Sequence, residues 1–109
     1  TLAKEEFTNT ANLYCDKLGV SYSKIKLRDP RSRWGSCSFN GNLMFSWRLI
    51  MAPKNIIGYL VAHEVAHLKH FNHSIDFWTA VFFLFGPYEN ERKWLRTEGT
   101  KLHFYKFKG

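Results

Sequence analysis

The histidines of this chain are crowded into one short stretch, because four of the five fall between His63 and His73. Two of them, His63 and His67, are four residues apart, and apolar residues recur around them at helical spacing. Residues at positions i and i+4 of a helix lie on one face, so both imidazoles can converge on a single tetrahedral cation. The stretch therefore predicts a helix over about residues 53–70 with a metal site on one face.

Glu64 follows the first histidine, and in H-E-x-x-H sites such a carboxylate acts on the metal-bound water instead of binding the metal. A catalytic zinc ion usually takes three protein ligands and leaves one position for water. His70 lies on the same helical face, but a straight helix carries it about 10 Å from His63. His73 can reach the metal if the chain turns back. The residues predict one Zn²⁺ per chain, held by His63, His67 and His73.

Two neighbouring side chains, His70 and Asp76, can each be interpreted in more than one way. His70 is expected to support a ligand or to lie on the surface. Asp76 can bind the metal or a ligating imidazole, although an acid in the first turn of a helix is the favoured interpretation. With Asp76 as a fourth ligand the site would be closed and the domain would be a zinc protein without catalysis. Glu64 would then have no role, which argues against that interpretation.

Apolar spacing predicts three further helices. The first covers residues 3–18 and ends at Gly19, which suits a left-handed stop. Ser74 can cap the second, which Gly86-Pro87 would end. The third covers about residues 87–97. The last ten residues, 100–109, give no clear pattern.

Alternating apolar and charged residues predict strands between the helix of residues 3–18 and the helix of residues 53–70. One strand covers residues 23–28, and residues 33–39 and 42–50 form a hairpin around Asn40-Gly41. A two-residue turn would pair Ser36 with Phe45 and Trp34 with Trp47. The tryptophans are then expected to form a buried cross-strand pair.

Composition limits the class of protein. The 109 residues suit a single domain, 1–109, and a hydrophobic share of 45% argues against disorder. No apolar run approaches the ~20 residues of a membrane span. The two cysteines form no disulfide framework and no signal peptide is visible, so a cytoplasmic protein is expected. The net charge of +7 leaves open weak nucleic-acid binding through a basic face formed by Lys24, Lys26, Arg28, Arg31 and Arg33.

Several short stretches extend the motif across most of the chain: 33–38 (RWGSCS), 41–43 (GNL), 47–49 (WRL), 63–68 (HEVAHL), 72–74 (NHS), 77–78 (FW), 87–88 (PY), 94–95 (WL) and Gly99. In this order they resemble the YgjP-like metallopeptidase domain family, and the layout is similar to the SprT-like and WLM zinc peptidases. The resemblance implies an α+β, zincin-like fold with a small antiparallel or mixed sheet, an N-terminal helix, an active-site helix and following helices. It also implies His63, His67 and His73 as ligands and Glu64 as the catalytic carboxylate.

These features together predict a cytoplasmic zinc peptidase acting on a peptide or protein substrate. Glu64 would serve as the general base toward the zinc-activated water. The residues that could stabilise the oxyanion are Arg33, Ser36, His70 and Tyr88. The alternative is a nucleic-acid-associated zinc protein. It would be either a SprT-like protease, a class that acts on proteins attached to DNA, or a binding module without catalysis.

Overall fold

A computed structural model describes residues 2–28 and 34–97 of the chain. It contains four helices, α1 (Leu2–Leu18), α2 (Lys54–His67), α3 (Ile75–Phe85) and α4 (Glu89–Thr97). Three short strands, β1 (Lys24–Arg28), β2 (Gly35–Cys37) and β3 (Asn42–Ser46), form a mixed sheet in the order β1-β3-β2. The α+β class predicted from the sequence is confirmed. No described helix is both long enough and apolar enough to cross a membrane.

Helix α2 lies at the centre of the fold and packs against α1, α3, α4 and β2. Every residue from Ile56 to Ala66 except Gly58 is buried. A helix that is covered on all sides buries its polar residues too, here His63 and Glu64. The sheet covers the core from another direction, where Phe7 of α1 stacks on Phe45 of β3 with ring centroids 4.9 Å apart.

Strand β1 has the alternating pattern that the sequence predicted. Ile25 is buried, while Lys24, Lys26 and Arg28 are exposed, so the cationic face exists along this strand. The other two residues predicted for that face, Arg31 and Arg33, lie outside the described residues. The structure adds that β1 pairs with β3 in parallel, with Ile25 opposite Leu43.

The predicted register of the hairpin is wrong by one residue. Strand β2 pairs Gly35 with Phe45 and Ser36 with Met44, because the connection has three residues, Phe39 to Gly41, instead of two. The Ser38 carbonyl accepts the Gly41 N–H at 3.0 Å, and Gly41 has a φ of 81°. This matches the hairpin loop in which a turn is followed by one left-handed residue, usually glycine.

The prediction that Trp34 and Trp47 form a buried cross-strand pair is wrong for Trp47. Trp34 is fully buried, but Trp47 is 43% exposed. The strand ends at Ser46, whose hydroxyl accepts the Arg48 N–H at 3.3 Å and caps a short 3₁₀ helix over Trp47–Met51. This cap turns the chain away from β2, so Trp47 lies against the Arg48 guanidinium instead of opposite Trp34.

The helices after the metal motif are close to prediction. Ser74 is the N-cap of α3 and accepts the Phe77 N–H at 3.4 Å, while Gly86 ends that helix with a φ of 101°. Helix α4 begins at Glu89, two residues later than predicted.

Helix α2 ends at His67, three residues earlier than predicted, and the following loop carries His73 back toward it. Residues 100–109, which show no clear sequence pattern, lie outside the described residues.

Candidate metal centre

Three histidines meet at the C-terminal end of α2. His63 and His67 lie on successive turns of that helix, and His73 comes from the loop before α3. One ring nitrogen from each lies within 4.8 Å of the others, and the Nε2 atoms of His67 and His73 are 3.1 Å apart. Two imidazoles on one tetrahedral zinc at about 2.1 Å would have their nitrogens roughly 3.4 Å apart. The spacing therefore suits a shared metal ion.

The electrostatic environment keeps these imidazoles neutral. Burial lowers the pKa of His63 well below its usual value, and the neighbouring His67 and His73 lower it further. Burial also lowers the pKa of His67 and of His73. Neutral imidazoles offer lone pairs, which a divalent cation requires of its ligands. Three neutral nitrogen donors suit zinc and leave a fourth position open for water.

The turn that follows α2 also fixes the orientation of His67. Its Nδ1 lies 3.1 Å from the main-chain carbonyl oxygen of His70, to which an Nδ1–H can donate. In the tautomer that donates from Nδ1, Nε2 carries the lone pair, and it lies 3.1 Å from His73 Nε2. His70 thus supports the site through its backbone. Its own side chain borders a different surface groove, together with Asp76 and Phe83.

Glu64 is only 3% exposed and lies beneath the edge strand β2. A Cβ atom added at Gly35 would be 3.2 Å from Glu64 Oε2 and 3.0 Å from the Met44 carbonyl oxygen. The strand backbone can approach the carboxylate this closely only because residue 35 is a glycine. The role of Gly35 could not be predicted from the sequence, since it depends on the observed register.

The negative charge of Glu64 also acts on its surroundings. Burial raises the pKa of the Cys37 thiol to about 12, and Glu64 and Cys15 add to this effect. Burial likewise raises the pKa of Cys15 to about 11. Both thiols are free and protonated at neutral pH, so neither is an activated nucleophile.

Replacing Gly35 by alanine should therefore damage the site more than its size suggests. The added methyl must displace either the β3 backbone at Met44 or the Glu64 carboxylate, and we expect a loss of roughly 1–3 kcal/mol in the free energy of unfolding. Thermal or urea unfolding measures it. Cys37→Ala, two residues along the same strand face, is the control and should cost less. Equal stability of Gly35→Ala and the native protein would contradict this packing.

Aromatic residues of α3 pack against the three histidines. Phe77 is fully buried, and its ring centroid lies 4.9, 4.4 and 4.9 Å from those of His63, His67 and His73. Trp78 stacks on His73 at 5.9 Å. Neither residue was predicted to lie at the site. The sequence feature that could have indicated them is the Ser74 cap. The cap sets the residue at which α3 begins and therefore places Phe77 and Trp78 about one helical turn after His73.

The other predicted residues have the following surroundings. Ser36 is half-buried on β2. Tyr88 stacks on Trp78 with ring centroids 5.1 Å apart, and Trp78 in turn stacks on His73. Asp76 is exposed in the first turn of α3. Among the described residues, the group able to hold a metal consists of the three histidines and does not include Asp76. Arg33 lies outside the described residues.

One further cation near the site was not predicted. The Arg92 guanidinium on α4 lies 4.5 Å from the centre of the Trp78 ring. After burial and the neighbouring histidines, it contributes to the lowered pKa of His63, and after burial to that of His73. A half-buried arginine beside the triad gives this end of the site a positive potential.

A small α+β fold with an H-E-x-x-H helix and a third histidine close by defines a metallopeptidase domain. The family model "YgjP-like, metallopeptidase domain" matches residues 1–98, and the chain belongs to this family. No curated protein matches the chain at a significant level. The comparisons thus confirm the resemblance predicted from the sequence.

Two solved structures share the fold. The metallopeptidase zymogen of Pyrococcus abyssi abylysin is 20% identical, with a TM-score of 0.75 over 94% of this chain and 99% of that chain. The metallopeptidase zymogen of Methanocaldococcus jannaschii jannalysin is also 20% identical, with a TM-score of 0.68 over 87% of this chain and 94% of that chain. At this identity the similarity establishes the architecture.

Proposed function

We propose that this chain is a zinc-dependent peptidase with His63, His67 and His73 as the metal ligands. The observation that carries the proposal is the convergence of three neutral imidazole nitrogens within 4.8 Å beside a buried carboxylate. A zinc ion bound there lowers the pKa of a coordinated water toward ~7 and polarises the scissile carbonyl. Family membership supports a peptide or protein as the substrate.

Glu64 is the general base in this proposal. Its carboxylate lies next to His63 in the chain and is shielded from bulk solvent, at 3% exposure. It accepts a proton from the attacking water and then delivers that proton to the amine that leaves. His67 stays in the required tautomer because its Nδ1 is bonded to the His70 carbonyl.

Strand β2 offers the docking edge for the substrate. In the described sheet β2 lies at one edge, and its residue Gly35 lies directly over Glu64. An edge strand presents unpaired N–H and C=O groups to which an extended peptide can add as a further strand. A peptide bound along β2 would run past the carboxylate and the triad.

Metal analysis tests this proposal directly. We expect about one zinc per chain by elemental analysis after dialysis, and peptide hydrolysis that a chelator removes and added zinc restores. The absence of bound metal, even after zinc is supplied, would overturn the proposal. One bound metal without hydrolysis of any peptide would favour the closed, non-catalytic site.

The nucleic-acid alternative was predicted from the net charge and a basic face, of which the described part is the cationic side of β1. Lys24, Lys26 and Arg28 share one exposed face, but the family and both structural relatives are metallopeptidases. Binding of nucleic acid and a cytoplasmic location therefore stay predictions from the sequence.

A further inference from the structure

An open apolar groove of about 440 Å³ lies along one side of α3. Its lining is aromatic or aliphatic apart from one threonine: Ile75, Trp78, Thr79, Phe82 and Tyr88. Two of these side chains are unusually exposed for their type, because Ile75 is 85% and Phe82 56% accessible. Large apolar side chains exposed together often mark a binding surface.

The groove begins at the candidate metal centre. Trp78 forms its wall on that side, and the same ring stacks on His73 at 5.9 Å and meets His63 edge-on at 5.8 Å. Tyr88 stacks on the other members of this aromatic group, Trp78 and Tyr59. An extended peptide advances about 3.3 Å per residue. The Trp78 wall of the groove therefore lies within two residue lengths of His73.

The charge near the groove restricts what can enter it. The Arg92 guanidinium lies 4.5 Å from the centre of the Trp78 ring. A lysine or arginine side chain entering beside Trp78 would meet this like charge, whereas a neutral ring or a branched aliphatic chain would not. The lining supplies no acidic side chain to offset that repulsion.

We propose that this groove receives a large apolar side chain, preferably aromatic, from the substrate residue next to the scissile bond. The proposal rests on the proposed function and names its substrate class, peptides with a hydrophobic residue at the cleavage site. Trp78 and Tyr88 line the groove with aromatic carbon, Phe82 and Ile75 complete its apolar walls, and Arg92 disfavours basic residues.

A peptide series that differs at a single position tests the preference. With the zinc-loaded protein, kcat/KM for phenylalanine or leucine next to the cleaved bond should exceed that for alanine by about 10-fold or more. Lysine at that position should be cleaved no better than alanine. Equal cleavage of the whole series would overturn the groove proposal and leave the proposed function intact. No cleavage of any peptide would count against the proposed function itself.

Two adjacent phenylalanines of α3 provide a matched pair of variants. Phe82 and Phe83 are each 56% exposed, but Phe82 lines the proposed groove. Phe83 lies near Lys17 and borders the separate groove that contains His70. Phe82→Asp should abolish the preference for phenylalanine over alanine, and Phe83→Asp should preserve it. Loss of the preference in both variants, or in neither, would contradict the assignment.

A binding measurement separates this proposal from catalysis. The metal-free protein, titrated with N-acetyl-phenylalanine amide, should show nuclear magnetic resonance shifts at Trp78 and Thr79, and N-acetyl-alanine amide should produce smaller ones. Phe82→Asp should remove the response and Phe83→Asp should keep it. Shifts confined to other parts of the protein would place the ligand elsewhere and overturn the proposal.

Discussion

Replacement of Glu64 by glutamine is expected to leave zinc bound and to lower kcat/KM for peptide hydrolysis by roughly 10³-fold. The amide has nearly the shape of the carboxylate, so it fits the buried position under Gly35, but it cannot accept the proton of the attacking water. General acid–base catalysis contributes roughly 10²–10⁴ in rate. The three histidines are unchanged, so the metal content should remain that of the native protein.

The measurement pairs elemental analysis with steady-state kinetics on the same preparation. Glu89→Gln is the matched control, because Glu89 is exposed in the first turn of α4 and lies outside the site. It should keep native turnover. Full activity of Glu64→Gln would contradict the general-base role, whereas loss of metal together with activity would assign Glu64 to metal binding.

Replacement of His73 by alanine is expected to lower the zinc affinity by more than about 100-fold. Loss of an outer-shell partner typically costs 10–100-fold, and removal of a direct ligand should cost more. His73 is exposed and belongs to a loop, so its truncation leaves the core around α2 intact. Competition with a chelator of known zinc affinity gives the change, and circular dichroism shows that the variant is folded.

His70→Ala is the control that tests the geometry of the ligand set. Residue 70 contacts His67 through its main-chain oxygen, which alanine retains, and its side chain borders another groove. The variant should therefore bind zinc nearly as well as the native protein. If His70→Ala lost zinc as severely as His73→Ala, His70 would be a ligand and the proposed triad would be incorrect.

Features that depend on neighbouring residues could be predicted from the sequence. The spacing of apolar residues predicted α1 and α2, Gly19 marked the end of α1, and Ser74 marked the start of α3. The grouping of His73 with His63 and His67 was predicted as well, because a catalytic zinc takes three protein ligands and a chain that turns back after the helix can bring His73 to the other two. These interactions span a few residues, so the local sequence contains most of the information that they require.

Features that join distant parts of the chain were decided by the tertiary structure. The parallel pairing of β1 with β3 and the contact of Arg92 with Trp78 have no local signature, because they follow from how all the elements bury their surfaces together. The hairpin is the clearest case. A loop of two or three residues suits the same Asn40-Gly41 sequence, and the choice moves every side chain of β2 relative to β3.

That choice of register is also what places Gly35 over Glu64. In the observed register Gly35 lies opposite Phe45, and its backbone faces the Glu64 carboxylate. A Cβ atom at this position would lie 3.2 Å from Glu64 Oε2. The sequence alone therefore indicated the candidate metal centre, through residues close together on one helix and its following loop. The tertiary structure decided which strand covers Glu64 and which aromatic rings pack against the three histidines, because those contacts depend on packing between separate elements of the fold.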